Sequence, residues 1–71
     1  MNLKEAEKVI RNLPKSVIWL AVDANLEMYC YYKEPSLLEA TPDEWMASGP
    51  CKYVGAYTGD LHWKDTLVRI E

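Results

Sequence analysis

The chain predicts an α+β fold: an N-terminal helix packed on a three-stranded antiparallel β-meander, with a short helix between strands two and three. Three observations predict it. Leu3, Ala6, Ile10 and Leu13 recur at helical spacing ahead of Pro14. Two β-favouring runs, VIWLAV at 17–22 and LEMYCYYK at 26–33, flank the turn formers Asp23-Ala24-Asn25. Between the second run and a third one, CKYVGAYT at 51–58, Thr41-Pro42-Asp43-Glu44 has the form of a helix start.

The first element is expected over Asn2–Leu13. Val9 lies beside the apolar stripe, while Lys4, Glu7, Lys8 and Arg11 face away. Asn2 followed three residues later by Glu5 makes a capping box. Glu7 and Arg11 form an i, i+4 pair in the favourable order, worth a few tenths of a kcal/mol. Asn12 and Pro14 then stop the helix.

Periodicity alone does not distinguish strand from buried helix in the apolar run 17–22; its short length and its flanks favour a strand. Asn25 is the residue expected to take the left-handed backbone conformation of the turn. Alternation in the second strand puts Leu26, Met28, Cys30 and Tyr32 on a core face. Glu27, Tyr29, Tyr31 and Lys33 then share a partly wet one.

Glu34-Pro35-Ser36 breaks that strand, and Leu37-Leu38 offers a local apolar anchor. Thr41 caps the short helix, Glu44 completes its box, and Gly49-Pro50 closes it, with Trp45 delivered to the core. In the third strand Cys51, Tyr53, Gly55 and Tyr57 alternate with Lys52, Val54, Ala56 and Thr58. Gly55 marks a bulge or a close approach. Gly59-Asp60 turns the chain. The tail favours a helical turn over Trp63–Leu67, with 67–70 also readable as a short strand.

With 71 residues the chain is expected to be one domain with a stability of a few kcal/mol. No apolar run approaches the ~20 residues of a membrane span, and Met-Asn-Leu-Lys-Glu does not read as a signal peptide. A cytoplasmic location without membrane attachment is the expectation, and with it free thiols at Cys30 and Cys51. Adjacent predicted strands nonetheless bring a bridge between them within reach.

The net charge of −3 is uneven: residues 34–71 hold three basic and seven acidic groups. Glu34, Glu39, Asp43 and Glu44 fall in a stretch with no Lys or Arg before Lys52, which disfavours a phosphate-binding surface there.

No motif supplies catalytic chemistry. One His and two scattered Cys do not provide a zinc ligand set, so no metal or cofactor is expected. Cys51 and His62, with Asp60 or Asp65 as orienting carboxylate, have no spacing that favours a nucleophilic site. A non-enzymatic role follows as the expectation. The anomaly is the aromatic set: three Trp and five Tyr, with no Phe. Every ring carries a polar tip, which suits half-buried positions and interfaces. Tyr29, Tyr31, Tyr53 and Tyr57 are read as an exposed sheet face for a protein partner, with Glu34, Glu39, Asp43 and Glu44 as a second binding surface. The same rings as a base-stacking platform for single-stranded nucleic acid would need more interleaved Lys and Arg than Lys33 and Lys52. Homodimerisation is a third reading.

A spaced pattern runs from 17 to 67: Trp19-Leu20-Ala21-Val22-Asp23, then Tyr31, Pro35 and Trp45, then Tyr53-Val54-Gly55-Ala56-Tyr57-Thr58-Gly59, and finally Trp63-Lys64-Asp65-Thr66-Leu67. It resembles small proteins of tailed bacteriophages and prophages that pair a W-x-A-V-D strand with a terminal W-K-x-S-L box. Leu26 stands where Gly usually follows the turn, and Thr66 where Ser is usual. The resemblance implies a role inside an infected bacterium, binding and inhibiting or redirecting a host protein, host-defence machinery included. It carries over no catalytic residue.

Overall fold

The structure, a computed structural model, describes residues 1–13 and 18–70. The expected helix stop at Pro14 and strand start at Val17 lie outside the described residues. Helix α1 spans Leu3–Ile10 and begins with the expected capping box. Asn2 Oδ1 accepts from Glu5 N, and Glu5 Oε1 accepts from Asn2 N, each at 2.9 Å. Strands β1 (Trp19–Val22), β2 (Glu27–Tyr31), β3 (Ser36–Leu38), β4 (Thr41–Met46) and β5 (Cys51–Ala56) follow. A 3-10 turn, η1 (Trp63–Asp65), leads into β6 (Val68–Arg69). The fold is α+β, but its main sheet is four-stranded and antiparallel, in the order β5-β2-β1-β6, and β3 pairs with β4 in a separate hairpin. Both readings of the tail are realised in succession, turn first and strand second. Among the described residues no helix is long and apolar enough to cross a membrane.

The main sheet is covered on both sides, which is why β1 reads as a continuous apolar run. Leu20, Val22, Met28 and Cys30 meet Ala6 and Ile10 of α1, with Tyr57 and Ile70 completing that core. Ala21 and Tyr31 point the other way and pack with Trp45 of the hairpin, flanked by Trp19, Tyr29, Trp63 and Leu67.

The short helix expected after Thr41 is instead strand β4. Leu37 pairs with Trp45 and Ser36 with Met46, while an irregularity leaves Pro42–Glu44 outside the β3 ladder. That stretch bends to the turn after β1: Asp43 O accepts from Ala24 N at 2.9 Å. Pro42, having no N–H, loses nothing there. Thr41 is no N-cap, and its hydroxyl is buried without a hydrogen-bond partner. Trp45 does reach the core, as expected, but from a strand.

The β1–β2 turn differs from expectation in one residue. Leu26 N donates to Asp23 O at 2.8 Å, and Asp23 N to Glu27 O at 3.0 Å. Leu26, not Asn25, carries the positive φ, 67°. Asn25 supports the turn through its side chain, which accepts from Glu27 N and donates to Glu27 Oε1. This is a three-residue loop whose last position favours Gly. Because Leu26 is 50% exposed and adds little to the core, Leu26→Gly is expected to stabilise the protein by about 0.5–1 kcal/mol. Urea denaturation checks it, and an unchanged or lower midpoint would refute it.

Gly55 fulfils both roles expected of it. A bulge leaves Val54 between the pairs Met28–Gly55 and Tyr29–Tyr53. The Met1 side chain lies 3.3 Å from where a Gly55 Cβ would sit. The extra residue reverses the alternation, so Tyr53 and Tyr57 face opposite sides of the sheet. At Gly59 any Cβ would overlap the Tyr57 hydroxyl, so the turn admits only glycine without displacing that ring.

Candidate functional site

A closed circuit of hydrogen bonds holds the hairpin and the tail to β1. Asp23 Oδ1 accepts from Trp45 N at 2.9 Å. The Trp45 indole Nε1 donates to Trp63 O at 3.4 Å. Thr66 Oγ1 donates to the same carbonyl at 2.6 Å and accepts from Val22 N at 2.9 Å. Val22 is the chain neighbour of Asp23, which closes the circuit. β6 pairs with β1 only at Trp19 and Leu20, so Val22 N–H lies beyond the short strand and the Thr66 hydroxyl takes its place. Val22, Asp23, Trp45, Trp63 and Thr66, all within the spaced sequence pattern, are thus joined physically. Asp23 and Thr66 are the buried polar residues among those described, and reading for catalytic motifs passed over both.

Burial pushes the Asp23 carboxyl pKa above its ordinary value; the nearby charges of Glu44 and Glu27 add to this, and the Trp45 N–H opposes it. A raised folded-state pKa means that the neutral form fits the fold better. Asp23 therefore contributes most stability below the ordinary carboxyl range near 4 and loses that contribution as pH rises through its folded value. Asp23→Asn keeps an oxygen for Trp45 N and discards the charge. Its melting temperature is expected to exceed that of the wild type at pH 7 and to converge with it below about pH 4. A variant that melts lower at both pH values would refute this.

The structure separates the four tyrosines read as one exposed face. Tyr31 is 3% exposed, under the hairpin, and Tyr57 is 5% exposed on the α1 side. There the Tyr57 hydroxyl accepts from Leu61 N at 3.1 Å. Tyr29 is half-buried and meets Tyr53 edge-to-face at 5.6 Å. Tyr53 stands out at 52% exposed. The expected face fails because the hairpin covers Tyr31 and the bulge turns Tyr57 away. Burial also holds the Tyr31 phenol well above its usual pKa, so it stays neutral.

The acidic group fares differently. Glu34, Glu39, Asp43 and Glu44 are all exposed, on β4, on the β3–β4 turn and just before β3. With them are Leu37 (39% exposed) and Leu38 (48%), the pair expected to be a local apolar anchor, and Met46 (37%). Trp45 turns inward, so Met46 and Glu44 point outward by strand alternation. The signal that could have found this face was the Leu37-Leu38 pair, once paired with a second strand.

Cys30 and Cys51 are both free thiols. Register places Cys30 opposite Lys52 and Cys51 opposite Tyr31, so the two point to opposite faces and the bridge thought reachable is out of line. Burial pushes the Cys30 thiol pKa up, which leaves it unreactive. His62 is occupied as the cap of η1, its Nδ1 accepting from Lys64 N at 3.2 Å. Among the described residues no three His, Cys, Asp or Glu side chains gather in a way that could hold a metal. On the α1 side an open depression of about 420 Å³ lies between Asn2-Leu3-Lys4 and residues 57–61; none of the acidic group borders it.

No protein-family model, curated protein or solved structure matches this chain. What bears on function is therefore its surface.

Proposed function

We propose that the chain is a non-enzymatic interaction protein of the tailed-phage type. It binds a bacterial host protein in the host cytoplasm and inhibits or redirects it, with defence components among the targets. The observation that carries this reading is the hairpin side of the molecule, where Leu37, Leu38, Met46 and Tyr53 are left exposed. A domain of 8.2 kDa has few large apolar side chains to spare, and keeping several on one side suits a partner surface. The resemblance of Trp19-Leu20-Ala21-Val22-Asp23 and Trp63-Lys64-Asp65-Thr66-Leu67 to the phage W-x-A-V-D strand and W-K-x-S-L box, with Thr66 in the Ser position, supports the phage setting. A base-stacking platform has less in its favour, since Tyr31 and Tyr57 are buried and the exposed carboxylates repel phosphate.

Affinity capture from bacterial lysate with the tagged chain, read by mass spectrometry, tests the reading. One dominant stoichiometric host protein is expected, and Tyr53→Ala should reduce its recovery while melting as the wild type does. An empty lane from folded protein, with dimers in solution, would contradict it and favour homodimerisation.

A further inference from the structure

Resting on that binding function, we infer that the outward face of the β3–β4 hairpin receives a basic amphipathic segment of a partner protein. Leu38 and Met46 are its apolar seat. They sit on the two paired strands, beside Leu37 and Trp45, which pair in register and turn toward the sheet. The hairpin cannot swing away to bury these side chains against its own sheet. Its inner side is already filled by Trp45, and β4 is tied to the turn after β1 through Asp23 Oδ1 and Ala24 N. Whatever covers Leu38 and Met46 comes from another molecule.

The charge around this seat selects the occupant. Glu34, Glu39, Asp43 and Glu44 are exposed around it, and no Lys or Arg occurs from 34 to 51. The nearest cation in the chain, Lys33, lays its methylene chain 3.5 Å from the Gly49 Cβ position. A second copy would bring the same carboxylates face to face, and nucleic acid would add phosphates to them. A segment with apolar residues on one side and Lys or Arg at the margins satisfies both parts of the surface. Exposed ion pairs contribute little affinity each. The carboxylates instead steer and select, and the apolar contact holds.

The probe is an 18-residue amphipathic peptide of Leu and Lys, titrated into the full-length chain and followed by backbone NMR. Its counterpart carries Glu in place of every Lys. The Lys peptide is expected to shift resonances at 36–46, and the Glu peptide to shift none. Glu39→Lys with Glu44→Lys should weaken binding at least tenfold, as should Leu38→Ser with Met46→Ser. Asp60→Lys with Asp65→Lys makes the same change in net charge elsewhere and should weaken it less than twofold. No binding of the Lys peptide, equal loss from both charge-reversed pairs, or indifference to the Leu38 and Met46 changes would overturn the inference. All six positions are exposed, and the wild-type shift map decides the location without any variant.

The two readings fail separately. A host protein captured equally well by Glu39→Lys/Glu44→Lys overturns this surface assignment and leaves the binding function standing. A Lys peptide seated on the hairpin, with no host protein captured, supports the surface assignment and contradicts the host-partner reading.

Discussion

Replacing Trp45 with alanine is expected to cost about 3–5 kcal/mol, comparable with the whole stability of a domain of this size. The loss has two sources. The indole is 8% exposed and is the hairpin's main contact with Ala21 and Tyr31, so its removal opens a cavity between the layers. It also deprives Trp63 O of one donor. Trp45→Phe loses the N–H and one ring of the indole but keeps most of the volume, and should cost far less. Far-UV circular dichroism in urea distinguishes them: Trp45→Ala largely unfolded at 25 °C, Trp45→Phe folded with a lowered midpoint. A Trp45→Ala variant as stable as the wild type would mean that the hairpin does not cover the sheet.

The second large effect is at Thr66. Thr66→Val preserves shape but leaves Val22 N–H buried with no acceptor, a cost of about 1–3 kcal/mol. Thr66→Ser keeps the hydroxyl circuit and loses one methyl, about 1 kcal/mol. Thr41 supplies the internal control, since its hydroxyl is buried without a partner. The same Thr→Val change there is expected to be neutral or slightly stabilising. Equal effects at the two positions, measured by thermal melting, would refute the assignment of Thr66 as the substitute for a missing strand partner.

Local signals that agreed with long-range packing were legible in the sequence. Asn2 and Glu5 announced the helix start because a capping box is satisfied within four residues. The β1–β2 hairpin was legible from its flanks, and Gly55 flagged its bulge. Thr41-Pro42-Asp43-Glu44 misled for a physical reason. Only a few residues separate it from Gly49-Pro50, too few for a helix to propagate beyond its costly nucleus. Meanwhile Leu37-Leu38 offered β4 a strand partner across a tight turn, and the 23–24 turn offered a second one far away in sequence. Once that stretch became a strand, the tyrosine surface changed with it. Tyr31 looked wet because Glu27 and Lys33 share its alternation, yet the hairpin lies over it. Leu26 in the left-handed region was not legible, since Asn25 beside it is the better intrinsic candidate and the hydrogen bonds from Asp23 decide the geometry. Of the candidate site, the four carboxylates were legible as an uncompensated charge run. The apolar side chains between them were not, because their exposure depends on which strand pairs with which.

The hairpin at 36–46 is what both the second core and the proposed binding face depend on, and backbone NMR tests it most directly. Cross-strand Hα and amide contacts are expected between Leu37 and Trp45 and between Ser36 and Met46, with the Trp45 amide among the slowest to exchange. A run of sequential amide–amide contacts through 42–47, the mark of a helix, together with rapid exchange at Trp45, would contradict it.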